Sequence, residues 1–300
     1  MVGWKIGVTT LIEGCRENSL GHPTTCLGGN AMDRREFSYT MYGAALATVL
    51  GQTSVARGIP RDTEDQEHSA SDKPLEVAML VYPGMTALDL IGPQQVLGYL
   101  GGVHVDLVAK TEDIVVSDTG VGIRPSRTFA NCANPVDILV VPGGSEGTLA
   151  LMRDPETLAF LSERAKAAKF VTSVCSGSLV LGAAGLLRGY KATSHWAVRD
   201  LLPLLGADLV PDRVVQDRSR ITAGGITAGI DFGLRVAAQL RGEDSARGLE
   251  LILEYDPHPP FGSGTPDKAP VTIEKKLRSN FEPLHAAFRE AAIAARKKWA

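Results

Sequence analysis

Cysteine is scarce in this sequence, and its scarcity excludes two common uses of the residue. The 300 residues include four cysteines, which are too widely spread for a disulfide framework. They also lack the paired Cys-x-x-Cys spacing that zinc sites require. We therefore predict neither a disulfide framework nor a metal site. The four are Cys15, Cys26, Cys132 and Cys175.

Concentrated positive charge and long apolar runs are also missing. The formal net charge is −3, and no block of lysine and arginine could displace counterions from a nucleic acid. No apolar run in the body approaches the roughly 20 residues that a membrane-spanning helix needs. We therefore expect no nucleic-acid partner and no membrane association of the mature form. The hydrophobic share of 44% is that of an ordinary globular protein.

The segment of residues 32–56 has the pattern of an export signal. Arg34 and Arg35 precede a short apolar run, and Ser54-Val55-Ala56 offers the small-x-small pattern of a signal-peptidase site. The segment resembles a twin-arginine signal, whose arginine pair is recognised by a receptor. A short amphipathic helix or a frayed tail is the alternative. If the signal is used, the mature protein is periplasmic or otherwise exported; if not, it is cytoplasmic.

The neighbouring segments are interpreted from the position of this signal. Twin-arginine signals normally begin near their arginine pair, so residues 1–31 are interpreted as an upstream extension preceding a start at Met32. Residues 57–74 are polar, charged and rich in helix breakers, which indicates a linker. We place the catalytic domain at residues 75–270 and a C-terminal helical tail at residues 271–300.

Within the body, short apolar runs alternate with helical patterns. Buried strands are predicted at residues 76–82, 136–141 and 170–174. The helical pattern after the first strand is expected to break near Gly92-Pro93, and the tail helix at Pro283, because proline disrupts a helix interior. Strands alternating with helices predict an α/β fold with a mostly parallel sheet sandwiched by helices.

Other elements have predicted limits as well. Residues 114–124 are predicted to form a hairpin. A helix is predicted to begin at Asp154 and Pro155 and to reach about residue 168. An apolar helix is predicted at residues 179–187. Three loops that follow the predicted core strands carry a carboxylate, glycine amides and a thiol. They should meet beyond the carboxyl ends of the strands, where such sheets bind ligands.

Cys175 lies between a strand pattern and an apolar helix, in the sequence VCSGS. A sharp strand-to-helix turn of this kind, a nucleophile elbow, exposes its apical side chain above a helix N-terminus, which favours a thiolate. A small buried apolar cysteine is the alternative. The local pattern favours the two interpretations equally.

Several longer motifs resemble a known family. DILVVPGG, VTSVCSGSLVLGAAGLL and ITAGGITAGIDF are similar to the ThiJ/PfpI superfamily, a branch of the class I glutamine-amidotransferase-like fold. TALDLIGPQQVL and LILEYDPHPPFGSGTPDKAP further resemble the isonitrile hydratases within it. The resemblance covers roughly residues 75–270.

The resemblance implies a division of roles among the site residues. Cys175 would be the nucleophile and Asp89 the general acid and base. Backbone N–H groups of Gly143, Gly144 and Ser176 would stabilise a developing anion, although the glycines could simply form a tight turn. His195 is interpreted as lining the pocket or holding structure rather than as a catalytic base. Ser176 stands where protease-like members have a histidine, which argues against proteolysis.

The resemblance also implies a reaction. Isonitriles would be hydrated to N-substituted formamides through a Cys175 thioimidate, with no metal or organic cofactor. Two alternatives remain open: a glyoxalase- or deglycase-like enzyme, and a non-catalytic small-molecule sensor. The partners expected are a small-molecule substrate and a second copy of the chain, because relatives are commonly dimers. An apolar stripe on the tail would need a surface to cover: Ile273, Leu277, Phe281, Leu284 and Phe288.

Overall fold

A seven-stranded sheet forms the centre of the computed structural model, which describes residues 73–299. The predicted upstream extension, the export signal and all but the end of the linker lie outside the described residues. The strands are β1 Leu75–Leu80, β2 Val103–Ala109, β3 Val115–Val116, β4 Gly122–Ile123, β5 Arg127–Thr128, β6 Ile138–Val141, β7 Phe170–Val174, β8 Lys191–Ala192, β9 Asp208–Leu209, β10 Val214–Asp217 and β11 Arg220–Ala223.

The strand order places the three predicted core strands side by side. The order is β10-β11-β7-β6-β1-β2-β5, and every pair is parallel except β10 with β11. All four residues of β6 are buried, as expected for a strand covered on both faces. The mostly parallel α/β fold is therefore confirmed. The predicted hairpin is also present, as β3 paired antiparallel with β4.

Two groups of helices flank the sheet. Helices α1 and α6 both pack against α5, whereas α2, α4, α7 and a 3₁₀ helix pack against one another. Within residues 73–299, no helix is both long enough and apolar enough to cross a membrane. The helices are α1 Ala87–Tyr99, α2 Glu146–Arg153, α3 Pro155–Arg164, α4 Gly177–Ala183, the 3₁₀ helix Arg199–Leu205, α5 Ala228–Arg241, α6 Glu243–Ile252 and α7 Val271–Lys297.

Helix α1 continues through Gly92-Pro93, so the expected break there is wrong. The cause is tertiary packing. A Cβ on Gly92 would lie 3.3 Å from a side-chain carbon of Ile230, and one on Gly229 would lie 3.0 Å from Pro93 Cδ. This close fit of α1 against α5 holds both residues in helical conformation despite the hydrogen bond that proline cannot donate.

The tail likewise forms one helix, so the predicted break at Pro283 is also wrong. Its second half buries Phe288, Ala291, Ala292 and Ala295 in the main hydrophobic core. This burial keeps the segment helical past the proline.

Part of the predicted apolar stripe of the tail is packed against the domain and part is exposed. Phe281, Leu284 and Phe288 pack against the chain's own core, whereas Ile273 and Leu277 are exposed. More than half of the stripe therefore covers this chain rather than a second one. The homodimer stays a prediction.

Two helix limits also differ from those predicted. Helix α3 ends at Arg164 rather than near residue 168. Helix α4 begins at Gly177 and ends at Ala183, six residues before Gly189. It ends early because Gly185 takes a φ of +74°, a left-handed conformation that stops a helix and suits glycine.

Candidate active site

Cys175 occupies a strained turn between β7 and α4. Its φ of +58° lies in the left-handed region, which residues other than glycine rarely adopt. Its N–H donates to the carbonyls of Ala223 and Gly224, at 3.1 and 2.8 Å. Its own carbonyl accepts hydrogen bonds from the hydroxyls of Ser178 and Ser194. The surroundings thus hold the cysteine in the predicted nucleophile elbow, a place where backbone strain is associated with function.

The turn depends on a residue without a side chain just after the cysteine. A Cβ at Gly177 would lie 2.2 Å from the carbonyl oxygen of Val141. No side chain fits there without moving β6. Gly177 therefore lets α4 start directly against the neighbouring strand, which brings Cys175 beside the loop after β6.

Asp89 approaches the same point from the first turn of α1. The side chain is fully buried, and its Oδ2 accepts a hydrogen bond of 2.9 Å from the Gly143 N–H. Its Oδ1 makes no hydrogen bond of ordinary geometry with any described residue. Loss of solvation raises the pKa of Asp89 to about 7, although the Gly143 N–H and the nearby Cys175 thiol partly oppose the rise. Near neutral pH the carboxyl group can therefore both give and take a proton.

The Cys175 thiol carries a proton at rest. Burial raises its pKa well above the ordinary value, and the negative charge of Asp89 raises it further. The backbone N–H and the hydroxyl of Ser176 act in the opposite direction but are outweighed. The N–H at the helix start thus favours the thiolate as expected, but burial and Asp89 have the larger effect on the pKa. Above about pH 7 the thiol and the carboxylate therefore form a coupled pair that holds one proton.

Two of the three predicted anion donors are occupied within the protein. The Gly143 N–H points to Asp89, and the Gly144 N–H donates to Ser176 Oγ at 3.0 Å. Neither group is free to receive an anion in this structure, which corrects that part of the prediction. Gly143 is needed for close approach, since its Cβ would lie 2.6 Å from Ser176 N and 2.8 Å from Asp89 Oδ2. Of the three predicted donors, the Ser176 N–H is the one directed at the sulfur.

A cavity of about 160 Å³ opens beside the Cys175 thiol. Its polar lining residues include Thr86, Asp118, Ser145, Ser176 and His195, and no lysine or arginine of residues 73–299 lines it. Six further lining residues are apolar, and half of them come from helix α7. Its apolar residues are Ala197, Val198, Ile226, Phe281, Leu284 and Phe288. The cavity thus fits a small uncharged molecule with an apolar substituent.

Comparison with known proteins gives this arrangement a family. The model of the DJ-1/PfpI family matches residues 75–239. The chain belongs to the DJ-1/PfpI family. It is 51% identical over 210 residues to a Pseudomonas putida protein named isonitrile hydratase, covering 70% of this chain and 91% of that protein.

Solved structures show the same DJ-1/PfpI fold. A ThiJ/PfpI family protein from Pseudomonas syringae superposes with a TM-score of 0.73 at 46% identity, covering 78% of this chain and 97% of that one. A DJ-1 superfamily protein from Salmonella typhimurium gives 0.56 at 27% identity, covering 61% and 99%. The three predicted core strands and Cys175 lie within the residues that the family model matches.

His195 lines the cavity of this DJ-1/PfpI domain as a neutral ring. Burial, together with the charge of Arg199, lowers its pKa to about 4. Its Nδ1 accepts the Ala197 N–H at 3.4 Å, and its ring packs against Trp196 and Phe281. A ring that stays neutral at pH 7 is not a source of protons. This environment supports the predicted lining role over a catalytic one.

Replacing His195 with alanine should accordingly lower kcat/KM by no more than about tenfold. The loss would reflect a wider cavity rather than a missing proton carrier. The pH dependence of kcat/KM should keep its position, because the titrating group is elsewhere. Steady-state kinetics between pH 5 and 9 would measure both quantities. A loss of a thousandfold or more, with the fold intact, would give His195 the proton transfer.

A buried chain of hydroxyl groups supports the elbow and was not predicted from the sequence. Tyr82 bonds to the Pro142 carbonyl and to Thr148 Oγ1, which contacts Ser176 Oγ at 3.1 Å. Ser176 Oγ in turn donates to the Gly144 carbonyl. The chain fixes the glycine turn against the residue after the cysteine. A buried tyrosine just after the mostly apolar run of β1 was the available signal, because its hydroxyl requires a partner there.

A group of possible metal ligands lies away from this site. Glu76, His104 and Asp106 have donor atoms within 4.8 Å of one another, toward the amino ends of β1 and β2. His104 Nδ1 already lies 3.0 Å from Glu76, and Asp106 accepts a hydrogen bond from Ser126 and pairs with Arg127. These internal partners account for the cluster, and it is at the wrong end of the strands to assist Cys175.

Proposed function

We propose that this protein adds water to isonitriles, R–N≡C, to give N-substituted formamides. The observation that carries the proposal is the 51% identity across 91% of a protein named isonitrile hydratase. The coupled Cys175–Asp89 pair, whose thiol lines a cavity with an apolar part, supplies chemistry that suits this reaction.

The first step uses the one proton that the pair holds. Asp89 takes the thiol proton and delivers it to the terminal carbon of the isonitrile, while the sulfur bonds to the same carbon. The product is the thioimidate Cys175–S–CH=N–R, and Asp89 is again a carboxylate. The isonitrile has been inserted into the S–H bond, so no further reactant is needed. A pKa near 7 suits Asp89 to both halves of this transfer.

The second step consumes water and restores the thiol. Asp89 accepts a proton from water as the oxygen adds to the thioimidate carbon, and the nitrogen receives that proton. The resulting intermediate has sulfur, hydroxyl and N–H–R on one carbon. The C–S bond then breaks, the hydroxyl proton returns to sulfur through Asp89, and HC(=O)–NH–R leaves. The Ser176 N–H, directed at the sulfur, stabilises the departing thiolate.

The cavity lining supports this substrate class over charged ones. Among the described residues no lysine or arginine lines the cavity and its histidine is neutral, so a carboxylate or phosphate would enter without a counterion and beside Asp118. An isonitrile is uncharged, and its substituent can lie against Phe281, Leu284 and Phe288. A small neutral α-oxoaldehyde would also fit, which keeps the glyoxalase-like alternative as an outcome of the test.

Purified protein should convert cyclohexyl isocyanide to N-cyclohexylformamide, measured by chromatography with mass spectrometry. In water enriched in ¹⁸O, the formamide should carry one labelled oxygen, because water supplies its carbonyl. Methylglyoxal, incubated in parallel, should yield no lactate. Lactate without formamide would replace the proposal by the glyoxalase-like function. Neither product, with thermal stabilisation by cyclohexyl isocyanide, would indicate the sensor.

A further inference from the structure

Phe281 lies between two neighbouring cavities, here called inner for the one that contains the Cys175 thiol and outer for the other. The inner cavity, of about 160 Å³, contains the thiol, and Phe281 forms part of its apolar lining. The outer cavity, of about 180 Å³, is lined by Ala197, Asp200, Arg278, Phe281, Glu282 and His285. Phe281 and Ala197 line both. Of these two, only the phenylalanine has a side chain large enough to act as a barrier.

The two cavities differ in chemical character. Four of the six residues around the outer cavity carry ionisable side chains. The inner cavity has an apolar part, and its nearest histidine is neutral. An apolar substituent that extended beyond Phe281 would therefore lie among ionisable groups.

Contacts on both sides hold the Phe281 ring in place. The ring meets His195 and Trp196 edge-on, with centroids 6.2 and 5.9 Å away. One turn earlier, Arg278 stacks on Trp196, and one turn later His285 pairs with Asp200 of the 3₁₀ helix at 2.9 Å. The segment of α7 that carries Phe281 is therefore fixed to the domain, although the helix before it is exposed.

We propose that Phe281 is a partition that limits, by size, the molecules that the cavity beside Cys175 accepts. It limits the substituent of the substrate to what the inner cavity holds. Helix α7 lies beyond residues 75–239, the part of the chain that the family model matches. The choice of isonitriles as substrates rests on the proposed function, whereas the partition itself does not.

The kinetic test compares a small and a bulky isonitrile. Phe281→Ala joins the two cavities, so the ratio of kcat/KM for 1-adamantyl isocyanide to that for methyl isocyanide should rise at least tenfold. Phe281→Trp should lower the same ratio. Leu277→Ala is the matched control, because Leu277 lies on the same helix, is exposed and lines neither cavity. Its ratio should stay within twofold of that of the unmodified protein.

A second measurement does not depend on isonitrile turnover. Alkylation of Cys175 by iodoacetamide and by the bulkier N-benzyliodoacetamide can be followed on the Cys175 peptide by mass spectrometry. Phe281→Ala should raise the rate of Cys175 alkylation by the bulky reagent at least tenfold relative to the rate with the small one. Leu277→Ala should leave this ratio unchanged. Phe281→Leu, which keeps an apolar side chain, replaces Phe281→Ala if the latter does not fold.

The two measurements separate the two ideas. The Phe281 variants could change the relative rates of the two alkylating reagents while neither the unmodified protein nor any variant produces formamide. That result would support the partition and reject the proposed function. The partition would be overturned if, in both measurements, the rate ratio of every Phe281 variant stayed within twofold of that of the unmodified protein. A change of equal size in Leu277→Ala would also overturn it, since the effect would then belong to the helix as a whole.

Discussion

Cys175→Ala should lower the turnover of isonitriles by about 10⁴-fold or more, to the limit of detection. Without the thiol no thioimidate forms, and the remaining carboxyl group has no nucleophile to protonate or deprotonate. Cys175→Ser should retain at most a trace, because a buried hydroxyl gives up its proton to Asp89 far less readily than a thiol. Formamide production measured by mass spectrometry would provide both values.

Cys132→Ala is the matched control for these changes. The two cysteines are equally buried, each with 7% of its surface exposed, but Cys132 does not line the cavity. Both alanine variants should lose similar small amounts of stability, and only the Cys175 variant should lose activity. Turnover by Cys175→Ala would reject the covalent mechanism. A comparable loss in Cys132→Ala would show that the assay reports folding rather than chemistry.

The intermediate can also be observed directly. Protein quenched during turnover should show an adduct on the Cys175 peptide whose mass equals that of the whole isonitrile. Insertion into the S–H bond expels no group, so no smaller increment is expected. An adduct on Cys132, or none at any quench time together with rapid turnover, would contradict the thioimidate.

The sheet could be predicted because local patterns agree with its tertiary environment. Strands β1, β6 and β7 are short apolar runs ended by turn residues, and such runs form strands when a sheet is covered on both faces. The loops that follow these strands meet because parallel strands have their carboxyl ends at one edge. The convergence of Asp89 and Cys175 followed from this geometry and from the family resemblance.

Whether a helix continues past a proline could not be predicted from local patterns in the same way. Pro93 and Pro283 both suggested breaks, yet each lies inside a continuous helix. Around Pro93, glycines at 92 and 229 allow two helices to approach closely, and around Pro283 the burial of Phe288 outweighs the lost hydrogen bond. Both effects come from residues distant in the sequence, which a local proline rule does not include.

The electrostatics of the site were also beyond local inference. A helix N-terminus lowers the pKa of a cysteine, and that rule predicted a thiolate at Cys175. Burial and the charge of Asp89 outweigh it, and both depend on how α1 packs against the elbow. The engagement of Gly143 with Asp89 depends on the same packing. The sequence therefore indicated which residues meet but not which of their groups remain free.

Asp89→Asn should lower turnover by about 10³-fold or more and should also stabilise the protein. The loss of activity follows because an amide cannot carry a proton between the thiol and the substrate carbon. In the unmodified protein kcat/KM should rise as the pH increases through about 7, where Asp89 becomes the base that accepts the thiol proton. The residual activity of the variant should lack this rise.

The effect on stability follows from the raised pKa. Folding moves the pKa of Asp89 from 3.8 to about 7, so the folded state favours the protonated form. The stability that this preference contributes is complete below pH 4 and is lost as the pH rises through about 7. An uncharged asparagine avoids the cost of a buried carboxylate. The change in the free energy of unfolding that the substitution causes should therefore be roughly 2–4 kcal/mol more favourable at pH 8 than at pH 4.

Asp106→Asn provides the contrasting control. Asp106 is also buried, but it pairs with Arg127 and accepts a hydrogen bond from Ser126, so its neutralisation should destabilise the fold and leave turnover within a fewfold. Thermal unfolding of both variants at pH 5 and pH 8 distinguishes the cases. A higher melting temperature for Asp89→Asn at pH 8, together with lost activity, would show that the domain keeps a buried carboxyl group for chemistry at the expense of stability. Unchanged stability at both pH values would mean that Asp89 titrates as an ordinary exposed carboxyl group, and its proposed role as proton carrier would fail.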